Sequence, residues 1–429
     1  MSARNAALYA GLAGAFALAI FFFEQTGNGR ALSAISLFLI WTVAAVSLNL
    51  INGTLGMLSL GHHGFMMVGA YVTALLTLPQ KQKDLAYDLS PFIRSLHLDW
   101  LGSAIQVQMP VAILLGGLAA MLFALLVGVP VLRLRGDYIA IATLAFGEGA
   151  RFLATGLPQV TNAGLGLKGV PLWAGQHWPT FVTALICIWV IARLTTSSYG
   201  RALKAIREDE IAAEAMGIGL ARHKVMAFAV SGFFAGVAGG LYASWLGTVD
   251  PVTFTIMLTF FFLVATSVGG LGSITGAVAG TAFVVVIRVY FDFLERPFTL
   301  GALSQGGGVL LLAAAAVTVF VLLRTRRARV APAVPIALGA VGLAALALPV
   351  LASSWTALNE SIQLFGLRLI ALGLLLVLIM LFRREGIFGR EELSWDGITG
   401  GRRRRIAAAQ AVTSDARSGG DRAAEGGSR

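Results

Sequence analysis

Charged side chains are scarce in this sequence of 429 residues, of which only 12% are Asp, Glu, Lys or Arg. Soluble domains carry about 25% charged residues, and so few charges could not cover the surface of a water-soluble protein of this size. Hydrophobic residues make up 57% of the chain, and the mean hydropathy is +0.81. Apolar runs of about 20 residues, the length of a membrane-spanning helix, recur throughout. The sequence therefore predicts an all-α fold, a polytopic transmembrane helical bundle.

Cysteine is almost absent, since Cys187 is the only one. A lone cysteine in an apolar run excludes a disulfide framework and a cysteine-rich metal site, and we expect no cofactor or metal in this chain. The formal charge of +11 is spread between apolar segments, whereas nucleic-acid binding requires a continuous basic face. The GxxxxGK[ST] phosphate loop is also missing, because GLGLKG at 164–169 has the wrong spacing. We therefore expect that the chain does not hydrolyse ATP.

Hydropathy predicts about 10 to 12 membrane segments, some of which could be half-helices. They lie near residues 6–23, 31–51, 55–78, 105–132, 136–157, 177–195, 225–246, 254–268, 271–290, 306–323, 331–351 and 363–382. The first is interpreted as a retained anchor, because it lacks the small-residue site at which a signal peptide is cleaved.

Basic residues divide unevenly between alternate loops. With a cytoplasmic amino terminus, the inner loops hold Arg133, Arg135 and the basic clusters at 197–224, 324–329 and 402–405, while the outer loops hold only scattered Lys and Arg. The positive-inside rule then predicts an even number of spans, with both termini in the cytoplasm.

The chain divides into three regions by composition. Residues 1–300 form a membrane core, and residues 301–383 add further membrane segments that include a hairpin at 301–352. Residues 384–429 form a basic tail with few large apolar side chains. Such a segment cannot bury enough surface to offset its chain entropy, so we expect a disordered cytoplasmic tail.

The segment SSYGRALKAIREDEIAAEAMGIGLARHK, residues 197–224, is a charged island between apolar runs. Its residues predict a short helix, a bend near 207–209 and a second helix that closes at Met216, before a Gly that suits a helix stop. Four apolar residues could form one narrow stripe along it: Leu203, Ile206, Ile211 and Ala215. Because so short a piece is unstable alone, it requires a partner surface, either the membrane or another protein.

Polar residues inside apolar segments indicate a transport pathway. Glu148 and Arg151 can pair along one helix face, and an ionisable residue inside a membrane is a functional hypothesis or a structural ion pair. Gly-rich breaks at 58–71 and 268–276 free backbone groups that only protein or a watery cavity can satisfy. The Gly-rich loop 161–169 is expected to be flexible, external and able to gate access. The candidate pathway residues are Ser59, His62, Tyr71, Glu148 and Asn162.

Two remaining patterns each have a plainer interpretation. His62 and His63 are adjacent, so on a helix they diverge and make a poor metal pair, and each is more simply a buried, hydrogen-bonded residue. Gly232, Gly236 and Gly240 form a strip on which a neighbouring helix can pack closely, either within the subunit or at a seam between subunits.

An ordered series of stretches resembles the permease subunits of ABC importers for branched-chain amino acids. They are NLINGTLGMLSLGHHGFMMVGAY, LRLRGDYIAIATLAFGE, TNAGLGLKGVP, YGRALKAIREDEIAAEAMGI, AFAVSGFFAGVAGGLYA and SVGGLGSITGAVAGTAF. The resemblance covers residues 35–290 and resumes weakly at LFRREGIFGRE. The hairpin 301–352 and the basic tail depart from the family pattern.

The resemblance implies an ABC importer permease architecture in a bacterial inner membrane, with the charged island as the coupling element. Glu214, Ala215 and Gly217 match the family's EA-and-Gly motif, and the implied coupling residues are Arg201, Lys204, Arg207, Glu210, Glu214, Ala215 and Gly217. The implied partners are cytosolic ATP-binding subunits, a second permease subunit and an extracytoplasmic substrate-binding protein, besides the lipid bilayer. ATP would be used by the partner, and this chain would not be an enzyme.

Other functions remain open from the sequence. Permeases for urea or short-chain amides share much of the pattern. A 12-span secondary transporter would need several charged residues in mid-membrane for ion coupling, and few are present besides Glu148 and Arg151. A membrane-embedded enzyme would need a cluster of carboxylates or histidines, whereas the outer loops carry only scattered Asp.

Overall fold

The computed structural model describes residues 3–86, 90–95, 105–134, 136–294 and residue 373. Apart from residue 373, the predicted segments 306–323, 331–351 and 363–382, the hairpin 301–352 and the tail 384–429 lie outside the described residues.

The described residues form an almost entirely helical structure. The α-helices are α1 (Ala3–Gln25), α2 (Gly29–Asn49), α3 (His62–Thr77), α4 (Gln80–Ala86), α5 (Pro91–Ser95), α6 (Ile105–Val131), α7 (Tyr138–Gly156), α8 (Pro158–Thr161), α9 (His177–Thr196), α10 (Ser198–Glu208), α11 (Glu210–Ala215), α12 (Leu220–Leu246), α13 (Ile256–Gly269) and α14 (Ile274–Leu294). A π-helical segment, Leu50–Leu55, extends α2, and a 3-10 turn, Ala163–Leu165, follows α8. Each predicted segment before residue 300 contains one of these helices, so the all-α prediction is confirmed.

Several helices are long and apolar enough to cross a membrane: Gly29–Leu55, Gln106–Val131, His177–Thr196 and Leu220–Leu246. Shorter apolar helices are found at Tyr9–Gln25, Ile256–Gly269 and Ile274–Val289. The apolar helices after residue 26 give a polytopic membrane bundle. The α1 helix lies in a different compact unit from the other helices, and it exposes Leu18, Phe21 and Phe22.

Close packing of α12 against α3 and α6 forms the centre of the bundle. The glycine strip of α12 faces these helices: a Cβ on Gly232 would overlap Ala124, and one on Gly236 would overlap Ala120. A Cβ on Gly239 would overlap the backbone of Met66 in α3. The strip therefore packs helices within this subunit, as the plainer interpretation expected.

Two half-helices begin inside the bundle. The α3 helix starts at His62 after non-helical residues 56–61, and α13 starts at Ile256 after non-helical residues 250–255. Backbone groups in the first break are satisfied by side chains, since Leu60 N donates to Thr143 Oγ1 at 3.0 Å. The break thus occupies residues 56–61, whereas residues 62–71 of the predicted stretch are helical, and Gly56 and Leu58 within the break are exposed.

The amino-terminal ends of the half-helices α3 and α13 meet beside the middle of α12. Ser231, near the middle of α12, donates to Ser47 O at 2.6 Å, and Ser47 Oγ lies 2.8 Å from His62 Nε2 at the start of α3. The next residue, His63, donates its backbone N–H to Thr259 Oγ1 in the first turn of α13 at 2.9 Å. The amino-terminal ends of α3 and α13 therefore converge level with the middle of α12.

The loop that was expected to be flexible is held by a short strand pair. Strand β1 (Leu167–Lys168) pairs antiparallel with β2 (Thr248–Val249), which follows α12. Gln82 Nε2 of α4 also donates to Lys168 O at 2.8 Å. Part of the loop therefore pairs with the residues after α12, and its flexibility, external location and gating role remain predictions.

Candidate functional site

The charged island folds as a helix, a bend and a second helix, as predicted. Ser197 caps α10, accepting a hydrogen bond from Gly200 N at 3.3 Å. The α10 helix ends because Asp209 is extended (φ −159°, ψ 114°), and Asp209 Oδ1 then caps α11 by accepting from Ile211 N and Ala212 N at 2.8 and 3.0 Å. One aspartate therefore both ends the first helix and starts the second.

Gly217 ends α11 as the sequence predicts. Its φ of +83° is a left-handed conformation that glycine adopts without strain. Gly217 N donates to Glu214 O at 2.9 Å and Ile218 N donates to Ala213 O at 3.1 Å, the two hydrogen bonds of a Schellman motif.

The apolar residues of α10 and α11 point in two directions. Leu203 and Ile206 of α10 are buried against the bundle, and Ala213 of α11 is buried as well. Ile211 and Met216, in contrast, are 82% and 83% exposed. The prediction of a single stripe was wrong, since Ile211 and Ala215 face away from the bundle. The bend at Asp209 sets α11 on a separate axis, so Ile211 and Met216 are left uncovered by the described residues.

The outer face of the island is also charged. Arg201, Lys204, Glu210, Glu214 and Ala215 are exposed, and only Arg207 among the predicted charged coupling residues is half-buried. Arg201 Nη1 donates to Thr196 O at 3.3 Å. Exposed Ile211 and Met216 with charges around them form a surface suited to a protein partner. We refer to these two residues as the apolar pair.

Two contacts hold the island against α12. Lys224 Nζ in the first turns of α12 lies 2.7 Å from Glu210 Oε2 at the start of α11. Tyr199 stacks on the His223 ring, with centroids 5.1 Å apart, and donates its hydroxyl to His223 O at 2.7 Å. Burial raises the pKa of Tyr199 to about 12, so the hydroxyl keeps the proton that it donates.

A third contact ties the island to the end of α2. Arg207 Nη1 donates to Gly53 O in the π-helical segment at 2.9 Å, and Arg207 Nη2 lies 2.6 Å from Glu208 Oε1. The stem of Arg207 crosses Gly56, where a Cβ would overlap its Cγ. Gly56 has φ +81°, so both its conformation and this close approach favour glycine.

The same point is joined to the turn between α13 and α14. Asn49, at the end of α2, accepts a hydrogen bond from Gly272 N at 2.9 Å and donates to Ser273 O at 3.0 Å. Arg207, the end of α2 and this turn thus form one connected set of contacts. The sequence offered no signal for it, because these residues are far apart along the chain.

A second candidate site lies where the half-helices meet. Glu148 Oε2 accepts from Arg151 Nε at 2.7 Å, which confirms the predicted pairing at i, i+3. Glu148 Oε1 accepts from Ile256 N, the first residue of α13, at 3.3 Å and lies 3.5 Å from His63 Nε2. We call Glu148, Arg151 and His63 the central cluster.

His63 is the member of this cluster that sequence reasoning missed. Its Nδ1 lies 3.0 Å from Thr259 Oγ1, and its side chain is fully buried. His62 diverges from it, as predicted, and bonds Ser47 instead. A pair of adjacent histidines at the start of a Gly-broken helix could have indicated that one of them faces the break.

The other predicted pathway residues are more scattered. Ser59 N donates to Asn52 Oδ1 at 3.0 Å, and Tyr71 lies farther along α3. Both hydroxyls are buried, and among the described residues neither has a hydrogen-bond partner. Asn162 has φ +60°, caps α8 and donates to Gly166 O at 2.7 Å, which holds the turn before β1. A role for these three residues in a pathway remains a prediction.

Long apolar helices, half-helices that meet inside the bundle and a hydrophilic helix pair beside it define a multi-pass membrane protein. Residues 30–306 match the family described as branched-chain amino acid transport system / permease component. Because this match covers more than half of the chain, the protein belongs to that family, and the resemblance inferred from the ordered stretches is confirmed.

Relatives to which this chain can be compared are transport permeases. The chain is 31% identical over 310 residues to the high-affinity branched-chain amino acid transport system permease protein LivM of Escherichia coli strain K12. This alignment covers 65% of this chain and 66% of that protein. It is 31% identical over 307 residues to LivM of Salmonella typhimurium, and this alignment covers 64% of this chain and 65% of that protein. The chain thus spans just under two thirds of the length of these relatives.

A more distant relative carries a different name. The chain is 27% identical over 197 residues to the autoinducer 2 import system permease protein LsrC of Salmonella paratyphi B, over 41% of this chain and 56% of that protein. No solved structure matches the chain.

Proposed function

We propose that this protein is the permease subunit of an ATP-driven importer for branched-chain amino acids, forms half of the translocation pore and couples to a separate cytosolic ATPase. A second permease subunit would complete the pore, and an extracytoplasmic binding protein would deliver the substrate. Membership of the permease family and the names of the LivM relatives support the transport role and the substrate class.

The observation that carries the coupling proposal is the apolar pair. Ile211 and Met216 are exposed on and just after the short α11. The pair of Glu210 with Lys224 holds α11 against α12, while Tyr199 attaches the preceding α10 to the same helix. A helix that is rigidly attached to the bundle, and that presents uncovered apolar side chains among charges, suits docking into a socket of another protein. Movement of that partner would then move the ends of α10 and α12.

A second substrate class has one observation in its favour. The LsrC relative is, by its name, an import permease for autoinducer 2, so members of this wider group differ in substrate. Urea and short-chain amides, which the sequence left open, carry no charged head group that could exchange partners with the Glu148–Arg151 pair.

Glu214→Lys tests the coupling surface. Glu214 is exposed on α11, and a reversed charge at the rim of a docking surface changes binding by about 1 kcal/mol, roughly a fivefold effect. We expect ATP turnover stimulated by leucine and the binding protein to fall about fivefold in the purified transporter, with normal insertion into the membrane.

Asp137→Lys is the matched control, because Asp137 is an exposed acid in the turn between α6 and α7. It should leave stimulated turnover unchanged. If both reversals reduce turnover equally, or if Glu214→Lys has no effect, the assignment of α11 as the docking surface is wrong.

The proposed orientation places both termini and the charged island in the cytoplasm of an inner membrane. Since Cys187 is buried and is the only cysteine, a Cys187→Ala background permits labelling of single cysteines. Ser198→Cys on exposed α10 should react with a membrane-impermeant maleimide only after the cells are permeabilised. Leu165→Cys, at a position 75% exposed near β1, should react in intact cells. The reverse pattern would refute the orientation.

A further inference from the structure

The central cluster lies at mid-height in the bundle. Glu148 contacts the first turn of α3 through His63 and the first residue of α13 through Ile256. The start of α3 is level with the middle of α12, as the bonds through Ser47 establish. The ion pair therefore lies away from both ends of α7 and α12.

Two side chains of the cluster are nevertheless partly exposed. The side chains of Glu148 and Arg151 are 24% and 22% exposed. Exposure of such a pair to hydrocarbon would cost several kcal/mol, so intramembrane charges face a protein interior or a watery cavity. A face of α7 that carries such a pair is expected to line a protein interior or a watery cavity and not the lipid.

The cluster offers donors to a carboxylate. The amino-terminal end of α13 carries a partial positive charge, and Ile256 N already donates to Glu148 Oε1. His63 Nε2 is fully buried, is directed at the same oxygen from 3.5 Å, and has no hydrogen-bond partner among the described residues. Thr259 occupies the other ring nitrogen. His63 Nε2 is thus a second group at this point, besides the start of α13, whose hydrogen-bonding capacity is not used by the described residues.

Arg151 has hydrogen-bond donors that its bond to Glu148 does not use. The hydrogen bond described between Arg151 and Glu148 uses Nε, so the terminal nitrogens, which bind carboxylates in pairs, are left for another group. The guanidinium lies 4.7 Å from the centroid of the Phe152 ring, and this ring is 65% exposed. An apolar surface thus lies beside the charged pair.

We propose that Glu148, Arg151 and His63 form a subsite that binds the charged head group of a zwitterionic amino acid on its way through this subunit. This inference rests on the proposed function and adds the site to it. The substrate ammonium binds Glu148, and the substrate carboxylate binds Arg151 with His63 Nε2 and the start of α13 as further donors. Because both the ion pair and the zwitterion are neutral overall, the exchange of partners buries no net charge at any stage.

The test uses the whole transporter, purified with its ATPase, second permease and binding protein and reconstituted in vesicles. Binding of radiolabelled leucine to the complex without the binding protein, and ATP-driven leucine uptake with it, are measured for Glu148→Gln and Arg151→Gln. Each loses one partner of a charge pair, so we expect leucine binding at least roughly tenfold weaker and uptake reduced in proportion. Leucinamide and 4-methylpentanoate, each of which lacks one charge, should compete poorly with leucine in the wild type.

A charge-exchanged variant separates this role from a structural one. Glu148→Arg combined with Arg151→Glu restores an ion pair on α7, but it turns a cation toward His63 and the positive end of α13. The subsite predicts that this variant assembles and still does not transport leucine. Asp137→Asn, an exposed acid just before α7, is the control and should bind and transport normally.

The outcomes are distinct. If the wild type imports leucine and the single variants bind and import it equally well, or if the exchanged pair restores both, the subsite is wrong and the proposed function stands. If the wild type imports no branched-chain amino acid, the proposed function fails and this inference fails with it.

Discussion

Replacing Ile211 and Met216 together by aspartate is expected to abolish assembly with the ATPase subunits at physiological concentrations. Both side chains are more than four-fifths exposed in this chain, and burying each in a socket contributes about 2 kcal/mol. The loss of about 4 kcal/mol corresponds to a roughly thousandfold weaker affinity. The cost of desolvating two carboxylates would add to this effect.

Affinity between the purified permease pair and the ATPase, measured by co-purification and by surface binding, would test this expectation. Ile211→Val with Met216→Leu keeps the surface apolar and should assemble like the wild type. Neither residue is buried in this chain, so the aspartate variant should still insert and fold. Normal assembly of the aspartate variant would show that the partner docks elsewhere.

The second large effect is expected at Arg207, where we predict that alanine uncouples ATP turnover from transport. Arg207 on α10 donates a hydrogen bond to Gly53 O near the end of α2. Asn49 in turn connects the end of α2 to the turn before α14 through two hydrogen bonds. A charge-assisted hydrogen bond contributes about 2 kcal/mol, so a roughly thirtyfold drop in transport per ATP hydrolysed is expected. The ATPase subunits should still bind, because the apolar pair is untouched.

The measurement is the ratio of leucine taken up to ATP hydrolysed in vesicles. Arg207→Lys keeps a charge but not the forked geometry, so it should recover part of the ratio. Arg133→Ala is the matched control, because Arg133 is an exposed arginine in the turn between α6 and α7, outside the charged island. If Arg207→Ala lowers assembly, turnover and uptake together while the ratio stays constant, Arg207 only supports the fold.

Much of the architecture could be predicted from local features of the sequence. Apolar length placed the helices before residue 300, because hydrocarbon requires backbone hydrogen bonds within each spanning segment. Asp209 and Gly217 placed the bend and the end of the helix pair in the charged island, because capping depends on neighbours a few residues away. The spacing of Glu148 and Arg151 predicted their pairing for the same reason.

The directions of side chains and the long-range contacts were not available from these local rules. A single stripe including Ile211 was wrong because the bend rotates α11 relative to α10. The bond from Arg207 to Gly53, and the approach of His63 to Glu148, join residues on different helices. Helical periodicity shows which residues share a face, whereas the face that meets a given neighbour depends on how all the helices pack. The membrane helices and their ends were thus encoded locally, and the connections that could carry substrate and force arose only when the helices came together.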